Sequence, residues 1–270
     1  MKYLILILVL VSFVGCVKKH DEIEKLFSFK KNIYGEVILT EPEILAPIEV
    51  YVTGNSNLLL TEHRDNYFGA IIDTKHNNRL IKVCPIGKGP NEYLPPLFFS
   101  RDKRENSVSF FAPRVNKFFN FYIEYKDSIT FELKEEYSGF ENSNQLVRVN
   151  DTLFFSTFAN SSITPDRYGL FNEKGELLYS GVTYPNNNSQ AISDNLKSIA
   201  FQSSIAVNPD NSSVVSACKF IGYMEILSIG SSDMKKIFEL QTSDGRFDNQ
   251  SQGNFMSLKP SPKSTVTYLC

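Results

Sequence analysis

Four stretches of this chain repeat one short pattern, a polar turn running into an apolar strand: NSNLLLTE from Asn55, ENSVSFFA from Glu105, VNDTLFFS from Val149 and PDNSSVVSA from Pro209. The intervals between them are irregular, about 45 to 60 residues, near the range of repeat architectures built from small sheets. Each stretch is followed by a hairpin pattern: YFGAIIDTKHNNRLIKV from Tyr67, KFFNFYIEYKDSITFEL from Lys117, YGLFNEKGELLYS from Tyr168 and YMEILSIGSSDMKKIFEL from Tyr223. In every one an apolar run meets Asn, Asp, Gly, Ser or Lys and turns into another apolar run, which is how two antiparallel strands are written. Four strands per unit is the natural count.

A four-stranded antiparallel sheet cannot bury both of its faces alone. Stacked radially, neighbouring sheets cover one another and leave only short edges, which is the β-propeller solution. A β-sandwich is the runner-up, but it gives no reason for the same order of turn and strand to return at least three times. With 22 Phe, 13 Tyr and no Trp, the chain has the aromatic supply that pleated, face-to-face packing uses. The expected fold is therefore all-β, a propeller of four-stranded antiparallel blades with about four blades and the start of a fifth. Helical periodicity is nearly absent beyond the first residues, apart from a short stretch at 22–29.

The N-terminus carries a different signal. MKYLILILVLVSFVGC has a basic start at Lys2 and an apolar run over 3–14, too short for an ordinary membrane span and right for the core of a signal peptide. Gly15 before Cys16 resembles the lipobox of bacterial lipoproteins, in which the peptide is cut before the cysteine and the thiol carries a diacylglycerol; Phe13 stands where leucine is usual. The expected layout is a signal peptide at 1–15, a lipidated tether at 16–34 and a propeller domain at 35–270. The membrane partner is then the lipid on Cys16, with each buried methylene contributing roughly 0.8 kcal/mol. His20-Asp21-Glu22 resembles an acidic surface-export signal, interrupted by Lys18-Lys19, so an outer-membrane lipoprotein of the cell envelope is expected, with the side it faces, periplasm or surface, left open.

The segment CPIGKGPNEYLPP, from Cys84, asks whether the chain binds a nucleotide. A phosphate loop needs two glycines four apart followed by Lys and then Ser or Thr, so that amides and ammonium reach the phosphates. Lys88 lies between Gly87 and Gly89, Pro90 removes a donor, and no helix pattern follows. A dinucleotide fingerprint fails too, because Glu92 occupies the place of the third glycine. The segment follows the last strand of one unit and precedes LFFS of the next, so it reads as a blade-to-blade crossing. Its glycines are expected to supply positive backbone angles, its prolines stiffness, and Glu92 an acceptor for the turned backbone.

GKGPNEYLPP and the strands before it resemble the first blade of the TolB-like six-bladed β-propeller lipoproteins of Bacteroidetes, where the segment usually reads Gly-x-Gly-Pro-Gly-Glu and an aromatic. Gly87, Gly89, Pro90, Glu92 and Tyr93 match that pattern, and Asn91 replaces the middle glycine. The resemblance implies fold and location, and no general activity. Six blades of about 45 to 55 residues need roughly 300 residues after a signal, so the strand beginning in STVTYLC is expected to be cut in mid-course.

Little else points to chemistry. A net charge of -2 offers no basic stripe for nucleic acid. Besides Cys16 there are Cys84, Cys218 and Cys270, without metal spacing, and their odd number favours free thiols over an obligatory disulfide. His20, His63 and His76 have no partner at ligand spacing, and neither a G-x-S-x-G elbow nor an H-E-x-x-H pair occurs. Asp65, Asp73, Glu92 and Asp102 fall near strand ends, where a propeller could gather them at a channel mouth or leave them as solvated loop charges. Ser128 and Thr152, each after an Asp, resemble acceptors of Bacteroidetes O-glycosylation. The expected function is a lipid-anchored binding or interaction module for a protein or glycan ligand, with no cofactor. The alternatives are a hydrolase or lactonase holding calcium or another metal in its channel, and a truncated product without function of its own.

Overall fold

Each recurring turn-strand pattern becomes the second strand of a four-stranded sheet, and each hairpin pattern becomes the third and fourth. A computed structural model describes residues 49–53, 58–64, 66–74, 79–101, 106–125, 129–187, 190–252 and 257–261, all within one compact unit, residues 41–270. Blade 1 consists of β1 (Glu49–Val52), β2 (Leu58–Arg64), β3 (Tyr67–Asp73) and β4 (Arg79–Pro85). Blade 2 follows with β5 (Phe98–Arg101), β6 (Ser107–Ala112), β7 (Lys117–Tyr125) and β8 (Ile129–Ser138). Blade 3 contains β9 (Ser143–Arg148), β10 (Leu153–Phe158), β11 (Asp166–Asn172) and β12 (Leu177–Thr183). Blade 4 contains β13 (Ser203–Val207), β14 (Ser213–Cys218), β15 (Gly222–Ile229) and β16 (Met234–Ser243). Each blade is a simple antiparallel meander, and β17 (Phe247–Asn249) with β18 (Leu258–Pro260) begins a fifth. The first strands of neighbouring blades approach one another, β5 to β9 and β9 to β13, as the inner strands of a propeller do. A short turn of helix, α1 (Lys197–Ala200), lies in the connection from blade 3 to blade 4.

The paired phenylalanines of the sequence follow from this stacking. In β6 every residue is buried, because a middle blade is covered on both faces. Side chains alternate across a strand, so Phe110 enters the core shared with blade 1 while Phe111 enters the core shared with blade 3. Phe119 and Phe118 divide in the same way. Leu59, Phe68 and Ile71 meet Phe99, Phe110 and Phe121 between blades 1 and 2. Val147, Leu153, Phe155 and Leu170 meet Val214 and Leu227 between blades 3 and 4.

The outer hairpins share a feature that the residue pattern does not announce. In blades 2, 3 and 4 the pairing of third and fourth strands slips by one, between Asn120 and Phe121, Leu170 and Phe171, and Ile226 and Leu227. The slip leaves Lys134, Leu178 and Ile237 without a partner in register. Such bulges tighten the local twist of an edge strand. Their return at one place in three blades marks the repeat at the level of backbone.

Candidate functional site

The crossing from blade 1 to blade 2 is pinched at its base. Ile86 and Tyr93 form a parallel bridge, with the Tyr93 amide donating to the Pro85 carbonyl at 2.8 Å and the Gly87 amide donating to the Tyr93 carbonyl at 3.2 Å. Inside the loop the Glu92 side chain folds back, and its Oε2 accepts from the Gly89 amide at 2.7 Å. A carboxylate on a backbone N–H is a charge-assisted bond, and it holds the turn against its own entropy.

The glycines do not do what the sequence suggested. Neither Gly87 nor Gly89 has a positive φ; the left-handed angles fall on Cys84 at 55° and Asn91 at 62°. Asparagine adopts that angle more readily than most residues, so Asn91 suits the place where the family pattern has glycine. What the glycines provide is room. A Cβ on Gly87 would lie 1.9 Å from Glu92 Oε2, and one on Gly89 would lie 3.1 Å from it. The carboxylate occupies the space that two side chains would have filled.

Beyond the pinch, Tyr93 enters blade 2. It is 8% exposed and meets Phe110, Phe119 and Phe121 edge to face, with ring centroids 5.2, 5.2 and 5.8 Å away, the arrangement ring quadrupoles favour. Burial, with smaller contributions from Cys84 and Glu136, pushes its phenol up to about 12. The Cys84 thiol beside it is pushed up by burial alone. Both groups are therefore neutral at ordinary pH.

Two adjoining cavities open on either side of this crossing. One, of 320 Å³, is bordered by Lys88, Glu92, Lys117 and Glu136. The other, of 590 Å³, has an apolar wall of Ile81, Val83, Ile129 and Phe131. Asn91, Tyr93 and Leu133 border both. Together they form a cleft between β4 and β8, with Lys82 and Glu132 beside the apolar wall of one half and the Lys117–Glu136 ion pair at the other.

A second cluster, invisible as a motif, lies between blades 3 and 4. Arg167 from β11 forms a buried ion pair with Glu225 from β15, at side-chain exposures of 3% and 0%. The Tyr168 hydroxyl donates to Glu225 Oε1 at 2.5 Å and lies 2.7 Å from Ser216 Oγ. The Tyr223 hydroxyl donates to Glu225 Oε2 at 2.9 Å. The other arm of Arg167, Nη2, donates to Ser203 Oγ at 2.8 Å, to Cys218 Sγ at 3.0 Å and to the Phe201 carbonyl at 3.4 Å. The guanidinium sits over the rings of Tyr168, Tyr223 and Phe201 at 5.0, 5.3 and 5.8 Å. Burial opposes its charge, and the surrounding Tyr168, Cys218 and Glu225 more than offset that, so its ionisation is driven above the usual range. Burial likewise raises Tyr168, Tyr223 and Cys218. Both carboxylate oxygens are hydrogen-bonded within the protein, which suits the cluster to holding blades together more than to moving protons.

Other residues singled out by sequence are dispersed. Thr152 is exposed in the β9–β10 turn, with its amide and hydroxyl on Asn150 Oδ1 at 3.0 and 3.3 Å. Asp73 is buried at the end of β3, while Glu92 is turned into its own loop, so these two do not converge on a channel mouth. Cys84 and Cys218 are free thiols. Cys16 with the signal and tether, the 22–29 stretch, His20, Asp65, His76, Asp102, Ser128 and Cys270 lie outside the described residues. Among the described residues no three His, Cys, Asp or Glu side chains are grouped to hold a metal ion, and no helix is long and apolar enough to cross a membrane.

No curated protein matches the chain. Among solved structures, one named as an exported protein of Bacteroides fragilis is similar with a TM-score of 0.47 and 14% identity over 69% of this chain and 48% of its own. One named as a 6-phosphogluconolactonase of the same organism gives 0.40 and 13% over 71% and 54%. The periplasmic gluconolactonase of Pseudomonas aeruginosa gives 0.36 and 10% over 78% and 55%. This chain spans about half the length of each, and likeness of this degree carries nothing about activity. The model of TolB-like 6-blade propeller-like proteins matches residues 28–266, nearly the whole chain, and with four meander blades and the start of a fifth behind that match, the chain belongs to this family.

Proposed function

We propose that the chain is a lipid-anchored, extracytoplasmic propeller of the cell envelope that works as a binding module, with the cleft beside the first blade crossing as its ligand site. The observation that carries this is the cleft itself. It combines cavities of 590 and 320 Å³, each lined by both apolar and charged side chains, around a rigid tyrosine, the mixture by which binding sites gain affinity from apolar contact and orientation from a few polar groups. Its ligand class is a protein segment or a glycan. Leu133 borders both halves and is 40% exposed, so Leu133→Trp should obstruct the cleft while leaving blade 2 folded. Peptide and glycan arrays probed with both proteins should show ligands held by the native chain and lost by the variant. Equal retention by a folded variant would place the site elsewhere.

The anchor has a separate test. Labelled palmitate should enter the native protein and not Cys16→Ser, and equal labelling would contradict the lipid anchor. Ser128 and Thr152 are proposed glycan acceptors; the exposure of Thr152 supports the second, and an intact mass of native protein without added sugar would remove both. Calcium decides against the hydrolase alternative or for it, since a metal bound only by the native state raises its melting temperature, reversibly with EDTA.

A further inference from the structure

The Arg167 cluster does two kinds of work with two arms. Nη1 pairs with Glu225 on blade 4, whereas Nη2 reaches the Phe201 carbonyl, Ser203 Oγ and Cys218 Sγ, where the crossing over 184–202 ends and blade 4 begins. Among its described residues that crossing has little regular structure: three residues of 3-10 turn, Asp194–Leu196, and the four of α1. Its middle is tied by Gln190, which donates to the Phe247 carbonyl at 2.9 Å and accepts from the Phe247 amide at 2.7 Å, and by the Ser198 amide donating to Ser161 Oγ at 3.2 Å; its C-terminal end is held by Tyr184 against Phe201 at 5.8 Å and by the Lys219 amide donating to the Gln202 carbonyl at 2.8 Å. A segment with so few ladder bonds of its own relies on such side-chain ties, and its C-terminal end should open at a free energy set by the ties made there.

We propose that Arg167 is a two-armed clasp, in which the Glu225 arm holds blade 3 to blade 4 and the Nη2 arm fixes the C-terminal end of the crossing in its docked conformation. The clasp lets the crossing open and close without parting the blades. The aromatic faces of Tyr168 and Tyr223, on which the planar guanidinium stacks, and the bond to Glu225 keep it in place when Nη2 is idle. A lysine at 167 would keep a charge for Glu225 but could not span both acceptor sets.

Hydrogen exchange read by mass spectrometry on the full chain separates the two arms. In Arg167→Lys, amides of Phe201, Gln202 and Lys219 should exchange about tenfold faster, while those of β3 in blade 1 stay at native rates. Ser203→Ala removes one acceptor without touching the ion pair, and it should accelerate the same amides about threefold, so the clasp remains testable if the lysine variant does not fold. Native exchange at the crossing in a folded Arg167→Lys protein would overturn the proposal, as would unchanged crossing amides in Ser203→Ala. Equal acceleration in blade 1 and at the crossing would also overturn it, because the arm would then act on global stability alone.

Discussion

Blades 1 and 2 are joined by an apolar core rich in rings, whereas blades 3 and 4 add a buried ion pair to their apolar core. At the first interface Tyr93 is driven among Phe110, Phe119 and Phe121 by a crossing that closes on itself through Glu92. At the other, Arg167 and Glu225 meet in a setting with almost no solvent, walled by tyrosines whose hydroxyls complete the carboxylate. The interface between blades 2 and 3 combines the two, with Arg148 bonded to Glu135 at 2.9 Å and lying over Tyr137 and Phe154. Apolar packing tolerates small adjustments of shape, while a buried ion pair demands its partner. The two ends of the described propeller should therefore respond very differently to single substitutions.

The largest effect belongs to the charged interface. Glu225→Ala leaves Arg167 buried without its counter-charge, a change that costs about 3–5 kcal/mol, visible as a large fall in the urea midpoint. Tyr93→Ala at the apolar interface should cost about 3 kcal/mol, the lower end for truncating a buried ring. A loss below about 1 kcal/mol there would mean the crossing does not secure blade 1 to blade 2.

Alkaline pH gives a further contrast. The folded pKa of Tyr93 is raised from 10.0 to about 12, so the fold favours its neutral form. The stability it contributes is complete below pH 10 and is lost as pH rises toward 12. Tyr93→Phe cannot ionise, and its stability should fall less steeply over that window, with near-native stability at pH 7. An unchanged alkaline slope would show that the ring titrates as if exposed.

The smallest effect concerns the loop. Gly87→Ala should cost about 1 kcal/mol by expelling the Glu92 carboxylate from the Gly89 amide. In a Glu92→Ala background the same alanine should cost almost nothing, because the atom it strikes is gone. Additive losses would mean that Gly87 is needed for some other reason.

What the residues disclosed in advance divides along the same line. Second, third and fourth strands were legible in every blade because they are short apolar runs bounded by Asn, Asp or Gly turns, as β10 and β11 are. First strands such as β9, SNQLVR, and β13, SSIAV, are short and partly polar, so they are recognised by their partners more than by their own composition. α1 has four residues, too few for a helical period. The crossing motif was visible as a string, yet the part played by its glycines was not, since it depends on where one carboxylate folds back. The Arg167–Glu225 pair left no trace in the sequence: its partners lie 58 residues apart, and neither neighbourhood contains a pattern that differs from an ordinary strand.

The claim that a coupled buried ion pair adds to the packing between blades 3 and 4 is tested most directly by a double-mutant cycle on Arg167 and Glu225, read by urea unfolding at pH 7. Arg167→Met and Glu225→Met should each be destabilised by about 3 kcal/mol, while the double variant, with no stranded charge, should be more stable than either. Losses in the double variant equal to the sum of the singles would contradict it, because the two residues would then contribute as independent packing and the blades would be joined alike throughout.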